Sequence, residues 1–396
     1  MTNTLPILVA GGGIGGLATA LGLARAGLQV LVLERAAELG EVGAGIQLGP
    51  NAFHALDALG VGEAARATAI YVERLRLMDA LSAAEICHID LGEAFRARFA
   101  NPYAVVHRGE LHAILLRACR AEPRVMLRTG AEVAGYAQEG GSVTALLASG
   151  EQVRGAALIG ADGLWSRIRG QLVGDGPPRV SGHTTYRSVI PTEQMPEALR
   201  WNAATLWAGP KCHVVHYPLQ GWKTFNLVVT CHDDAAEPVA GRPVPAEQVV
   251  AGFRHLHPTV RSIIGQGRDW RLWVLCDRDP VERWVEGRVA LLGDAAHPML
   301  QYMAQGACMA MEDAVCLARA METHGGAIEP ALAAYNAARA LRTARVQLLS
   351  RAMGEHVYHP ASAHAALRNA IMAAKTQAEW RKTLAWLYGG EGPVTA

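Results

Sequence analysis

Residues 7–34 read ILVAGGGIGGLATALGLARAGLQVLVLE, and the reading of this stretch decides the fold. The apolar run Ile7 to Ala10 has the length and composition of a buried parallel strand. It breaks into Gly11-x-Gly13-x-x-Gly16, an Ala- and Leu-rich helix follows, and a second apolar run, Val30 to Leu33, ends at Glu34. Together these form the dinucleotide-binding pattern in its complete βαβ setting. Gly11 permits the tight turn, Gly13 lets a pyrophosphate approach the backbone, and Gly16 allows the helix to pack close on the strand. The helix N-terminus offers free amides and a partial positive charge to the phosphates. Glu34 is placed to accept hydrogen bonds from both ribose hydroxyls of an adenosine. Gly15 and Arg35 complete the set expected at the nucleotide.

The same stretch invites a membrane reading, because Leu5 to Ala24 is uncharged and mostly apolar. It holds six glycines, however, and no Lys or Arg precedes it as a signal peptide requires. Strand, turn and helix fit it better. The 396-residue chain is 51% hydrophobic and 18% charged, enough for two or more domains with a large core. A formal charge of +1 leaves no footprint for nucleic acid or an anionic membrane. The seven cysteines are irregularly spaced with no C-x-x-C pair, which fits reduced thiols in a cytoplasmic protein and argues against structural zinc. His356, His359 and His364 do not read as a metal site, since Pro360 breaks any helical register between them.

Beyond the first unit, a glycine-punctuated stretch Glu41 to Gln47 leads to a helix over about 51–59, and a second helix is expected over about 108–119. Short apolar runs at 125–127, 143–147 and 156–159 read as successive strands, the last ending in Asp162-Gly163. From about 181 to 275 the texture becomes alternating and aromatic, including His213 to Tyr217 and Thr224 to Thr230, interrupted by a helix over about 246–256. This pattern predicts an antiparallel sheet inserted into a nucleotide-binding domain. A buried-strand signal returns at Val289 to Leu292, runs into Gly293-Asp294, and is followed by a long helix from about Gly306. After about 330 the chain reads as helical.

The pair Gly293-Asp294 stands at the carboxyl end of an expected parallel strand, where open α/β sheets bind ligands. The set Gly11-x-Gly13-x-x-Gly16 with Glu34, Arg108-Gly109-Glu110-Leu111, Asp162-Gly163 and Gly293-Asp294 resembles, in order and spacing over about residues 5–350, the motifs of single-component FAD-dependent aromatic hydroxylases. The resemblance implies the fold typified by para-hydroxybenzoate hydroxylase. That fold is an α/β, Rossmann-like FAD-binding domain over 1–180 and 271–345, with an inserted antiparallel substrate-binding sheet over 181–270 and a C-terminal helical segment over 346–396. It also implies that Asp162-Gly163 lies between flavin and nicotinamide, and that Arg108 lies near the flavin side chain. Asp294 would contact the ribityl or ribose part, and Gly306-Ala307 would open a helix toward the flavin ring. No second glycine pattern is present for NADH, which is expected in the cleft between domains. A homodimer is the family expectation.

Two passages, Lys211 to Pro218 and His297 to Ala307, resemble the branch of that family that hydroxylates 3-hydroxybenzoate para to its phenol, giving gentisate. In this chemistry a flavin C4a-hydroperoxide, formed from O2, attacks a ring only when it is electron-rich, so the site needs a base at the phenol. Alternation places His213, Val215 and Tyr217 on one face of their strand, and Val214 and His216 on the other. His213 is therefore expected to activate the phenol, Gln301 to orient, and Tyr217 to line the pocket. His297 is expected to shape its loop, and His216 to be structural. Arg187 and Lys211 are the nearest candidates for the substrate carboxylate. The rivals are the same machinery acting on salicylate, 6-hydroxynicotinate or another phenolic acid, a flavin-free NAD-dependent dehydrogenase, and a non-catalytic nucleotide-binding protein.

Overall fold

The computed structural model describes residues 5–40 and 44–389; the first part of the expected stretch Glu41 to Gln47 lies outside them. The fingerprint forms the strand Ile7–Ala10, the helix Ile14–Arg25 and the strand Val30–Leu33. These belong to a six-stranded sheet ordered Val285–Glu286, Val289–Leu291, Ala157–Gly160, Ile7–Ala10, Val30–Leu33, Val125–Arg128. All neighbours are parallel except the first pair. Helices Ile14–Arg25, Arg108–Ala121 and Gly306–Thr323 contribute buried apolar residues to the core around this sheet. The central strands Ile7–Ala10, Ala157–Gly160 and Val289–Leu291 are buried along their whole length, which is why they read as unbroken apolar runs and not as alternation. A three-stranded antiparallel meander covers Val133–Glu139, Ser142–Leu147 and Gln152–Gly155.

The second large sheet has eight strands, ordered Arg242–Pro243, Arg271–Asp277, Arg179–Pro191, Thr224–Ala235, Cys212–Leu219, Ala203–Gly209, Arg74–Asp79, Glu85–Asp90. One face packs Tyr186, Val214, Leu227, Val229 and Leu272 under Phe253, Val260 and Ile263, from the region of the helices Ala246–Gly252 and Pro258–Ile264. The sheet is wider than the 181–270 expectation. It takes in Arg271–Asp277 and also Arg74–Asp79 and Glu85–Asp90, from within the expected 1–180 segment. Arg74–Asp79 pairs parallel to Ala203–Gly209, the one parallel contact in this sheet. Without that pair Ala203–Gly209 would present an open edge. The alternation of RLRLMD at 74–79 is the local signal for the strand, but nothing local names its partner.

The C-terminal region is helical as expected, over Ile328–Met353, a π-helical turn Gly354–Tyr358, Ser362–Ala373 and Gln377–Tyr388. The expected boundary at 345/346 falls inside the first of these, a single 26-residue helix. Among the described residues no helix is long and apolar enough to cross a membrane.

A buried charge network locks these helices to the sheet. Arg339 donates through Nε to Asp313 Oδ1 and through Nη1 to Glu312 Oε2, each at 2.6 Å. Asp313 Oδ2 accepts from His297 Nε2 at 2.5 Å and from the Gly293 amide at 3.1 Å. Burial alone would raise the Asp313 carboxyl, but His297 and Arg339 outweigh it and hold it at about 2. Replacing Arg339 with Met leaves two buried carboxylates short of a counter-charge and is expected to cost about 3–5 kcal/mol. Urea unfolding of parent and variant, followed by tryptophan fluorescence, reads this as a large drop in midpoint.

Candidate active site

Each glycine of the fingerprint has its own steric cause. Gly11 has φ +107°, and a Cβ there would lie 2.4 Å from the carbonyl oxygen of Ala161. A Cβ on Gly16 would lie 1.9 Å from the carbonyl oxygen of Gly11. Around Gly13, by contrast, nothing stands within 4 Å of the Cβ position, and no side chain caps the helix that Gly13 begins. Open space beside uncapped amides fits a pyrophosphate. Glu34 is held there by two backbone amides, Gly12 at 2.6 Å and Ala36 at 2.8 Å, one on each carboxylate oxygen. A carboxylate oxygen takes more than one hydrogen bond, so both remain able to receive ribose hydroxyls. Arg35 is exposed beside it.

A cavity of about 770 Å³ runs from this turn to the eight-stranded sheet. Gly13, Gly15, Arg108, Gly163, Gly293, Asp294, Gly306 and Ala307 line its nucleotide side. Asp294 is exposed to that space, and the helix Gly306–Thr323 opens beside it, with a Cβ on Gly306 falling 3.7 Å from Asp294 Oδ1. Asp162 departs from expectation. Its carboxylate accepts from Ser166 Oγ at 2.6 Å, and from the amides of Arg167 at 2.8 Å and Ile168 at 3.3 Å. It therefore caps the helix Arg167–Leu172, and its neighbours Ala161 and Gly163 line the cavity in its place.

The far wall is the sheet, whose register sets out the functional side chains in rows. Thr185 pairs with Thr230 and Thr230 with His213; Arg187 pairs with Val228 and Val228 with Val215; Val189 pairs with Asn226 and Asn226 with Tyr217. His213, Val215, Tyr217, Val228 and Arg187 all line the cavity, while Val214 packs on the other face, as the alternation requires. With strands about 4.8 Å apart and alternate residues about 6.8 Å apart, the Cα atoms of Arg187 and His213 stand roughly 12 Å from each other. Between their side chains lies an apolar floor of Val215 and Val228.

From the opposite side Gln301 reaches this wall. Its Nε2 donates to Thr185 Oγ1 at 3.2 Å and Thr230 Oγ1 at 3.1 Å, and its Oε1 accepts from Arg187 Nη2 at 3.0 Å. Arg187 can only donate, which fixes the orientation of the amide. No carboxylate pairs with Arg187 among the described residues, its Nε is buried without a partner, and its guanidinium lies 5.4 Å over the Trp273 ring. Burial lowers its pKa. Lys211, the other carboxylate candidate, is exposed and lies outside the cavity lining. Tyr217 faces Arg187, and burial raises its phenol.

His213 is almost fully buried, with Nδ1 at 2.7 Å from His359 Nε2, which leaves its Nε2 as the nitrogen available to a ligand. Burial pushes it well below the ordinary histidine range, with His359 and His183 adding to the effect. Tyr302 and Tyr358 stand edge-on to it at centroid distances of 5.6 and 4.8 Å. His297 is held by Asp313 away from this wall, and His216 packs between Trp207, Trp201 and Phe225. The sequence reading missed His359, Tyr302 and the threonine pair that holds Gln301. His359 carries no local signal, because its partner is 146 residues away. The threonines were legible only as alternate positions of two strands.

Residues 4–350 match the family described as FAD binding domain. The chain is 54% identical to a 3-hydroxybenzoate 6-hydroxylase of Aquipseudomonas alcaligenes over 97% of this chain and 98% of the relative. It is 47% identical to a 3-hydroxybenzoate 6-hydroxylase of Klebsiella oxytoca over 98% of each. Among solved structures, Klebsiella pneumoniae HpxO complexed with FAD and uric acid superposes with a TM-score of 0.87 at 25% identity, over 99% of each chain. A salicylate hydroxylase substrate complex superposes with a TM-score of 0.83 at 25% identity, over 98% of this chain and 96% of that one. The glycine turn, Glu34 and the Asp294 wall fit FAD, and the flavin-free dehydrogenase reading falls away. The chain belongs to the family of single-component FAD-dependent aromatic hydroxylases.

Proposed function

We propose that this protein hydroxylates 3-hydroxybenzoate at C6, para to its phenol. The balanced reaction is 3-hydroxybenzoate, O2, NADH and a proton giving gentisate, water and NAD. The observation that carries the reading is the sheet wall, where a neutral imidazole and an acid-free guanidinium oppose each other across a Val215–Val228 floor. A ring bearing a phenol at one end and a carboxylate at the other matches that pairing, and the relatives at 54% and 47% identity carry the name of this reaction. When bound and reduced, the flavin supplies an electrophilic oxygen atom from O2. The chain's own residues present the ring. Arg187 receives the carboxylate, which supplies the counter-charge that Arg187 lacks. Gln301 fixes the angle of Arg187, Tyr217 bounds the ring edge, and His213 accepts the phenolic proton at Nε2 so that the ring reacts as its phenolate.

At the nucleotide end, Gly11, Gly13, Gly15, Gly16 and Glu34 hold the adenosine diphosphate, with Arg35 beside it. Arg108, Gly163, Asp294, Gly306 and Ala307 surround the flavin, with Asp162 holding the Gly163 turn. A homodimer is supported by the exposed apolar side chains Leu341, Leu348, Leu367 and Ile371 on the C-terminal helices. Dependence on NADH fits a cytoplasmic location.

The direct test supplies 3-hydroxybenzoate, salicylate and 6-hydroxynicotinate in turn to the holoenzyme, with NADH oxidation followed and products separated by chromatography. Gentisate formed from 3-hydroxybenzoate in proportion to NADH is the expected result. Faster coupled turnover of either other ring would move the substrate assignment. In His213→Ala, gentisate formation is expected to fall about 100-fold while NADH oxidation continues with release of hydrogen peroxide. Equal gentisate yields in variant and parent would remove His213 from the chemistry. Arg187→Met is expected to raise the KM for 3-hydroxybenzoate about 10- to 100-fold, as for loss of charged hydrogen bonds worth about 1.5–3 kcal/mol. Binding of 3-hydroxybenzamide, which has no carboxylate, should change little; equal losses for both ligands would assign Arg187 a structural role.

A further inference from the structure

His359 lies in no sequence motif, yet it is the residue that touches His213 from behind. The two ring planes lie 25° from parallel with centroids 5.0 Å apart, the separation of imidazoles joined edge to edge by a 2.7 Å hydrogen bond. His359 is fixed by its backbone as well, its amide donating to the Gly354 carbonyl and its carbonyl accepting from the Lys211 amide, both at 3.1 Å. The titratable groups around the pair come from several elements. His232 lies on the neighbouring strand, His183 stands beside it on the next with its Nδ1 at 2.5 Å from Tyr302 Oη, and Tyr358 closes the helical side. Asp233, Arg179 and Asp277 act on His183 from farther out. Among the described residues no carboxylate contacts the ring of His213, His359 or His183. Burial, assisted by the neighbouring histidines, holds His359 at about 3 and His183 at about 4.

A neutral imidazole carries one ring proton. Across the 2.7 Å contact one of the facing nitrogens must donate and the other accept. If His213 Nδ1 donates, its Nε2 offers a lone pair to the cavity. If His359 Nε2 donates, His213 Nε2 carries the hydrogen toward the cavity.

We propose that His359 is the positioning residue of the phenol-activating base, exchanging donor and acceptor roles with His213 so that the phenolic proton leaves the cavity without an imidazolium forming at His213. This rests on the reading of His213 as that base. The phenolic O–H breaks and its proton bonds to His213 Nε2. The Nδ1 proton of His213 passes to His359 Nε2, and the proton on His359 Nδ1 is taken up by solvent water, which is reached beyond His183 at the partly exposed His232. No electrons are transferred, the substrate is left as its phenolate, and both histidines end neutral in the opposite tautomers. His359 Nδ1 is buried without a hydrogen-bond partner. The next rings outward are His183, 5.1 Å away by centroid, and then His232, a further 4.5 Å. His232 is partly exposed and lies 3.2 Å from Asp234, which is open to solvent.

The test uses 3-hydroxy-4-nitrobenzoate, whose phenolate is coloured, bound to the holoenzyme and titrated with pH. The parent is expected to lower the apparent pKa of the bound analogue below that of the free acid. His359→Phe is expected to raise that value by about 1 or more, a tenfold change in ionisation, while affinity at alkaline pH stays at the parent level. His359→Gln keeps one hydrogen bond but cannot pass a proton, and should raise it too, which carries the test if the Phe variant folds poorly. A His359 variant titrating like the parent while His213→Ala shifts upward would overturn the relay and leave His213 as the base. If His213→Ala also titrates like the parent, the base reading fails, and this proposal with it.

Discussion

The arrangement of the cavity depends on two adjacent buried acids, Glu312 and Asp313, and on the arginines that neutralise them. Taking these charges out of water costs several kcal/mol each, recovered only where geometry is tight and every remaining lone pair is used. Here they are used for construction. Asp313 grips the Gly293 amide and His297, and so fixes the loop that carries Asp294. Glu312 accepts from Asn51, whose amide also reaches Gln305 at the mouth of the helix Gly306–Thr323. Arg342 bonds Glu312 twice and then donates to the carbonyls of Trp386 and Leu387, docking the last helix on the same network. One cluster thus sets both the loop and the helix end that line the nucleotide side of the cavity.

The sheet imposes a second constraint of a different kind. Its side chains alternate with a period of two, so a slip of one residue would exchange the row Thr185–Thr230–His213 for the row Tyr186–Val229–Val214. The second row sits under two helices in an apolar core, and that burial fixes the register. Core packing on one face therefore aims the polar groups on the other. Reactive side chains mounted on such a wall are held more narrowly than loop residues would be.

This division explains what could be read in the sequence. The nucleotide half is written locally: Gly11, Gly13, Gly16 and Glu34 lie within 24 residues, each spacing fixed by one turn and one helix. The face of His213, Val215 and Tyr217 was legible because alternation is also local. What escaped depends on contacts between distant segments. The strands at 74–90 join a sheet built mainly from residues after 179. Arg187 meets Gln301 across 114 positions, and His359 meets His213 across 146. Asp162 shows the reverse case. Its motif was recognised, but Ser166 and the amides that follow bind its carboxylate, and only the fold shows which way it turns.

The choice of a second histidine behind His213, where a carboxylate would be the more familiar orienting group, follows from the charge the site must hold. A carboxylate there would stabilise an imidazolium at His213. It would also place a fixed anion one ring away from the phenolate the reaction requires, in surroundings of low dielectric where that repulsion is felt strongly. A neutral partner avoids both effects. It can orient His213 in either tautomer, it adds no charge of its own, and it leaves the positive charge of this wall on arginines such as Arg187. The same burial that depresses His213, His359 and His183 keeps positive charge off this side of the wall, and in the proposed reaction the negative charge then develops on the ring, which makes it reactive toward an electrophilic oxygen.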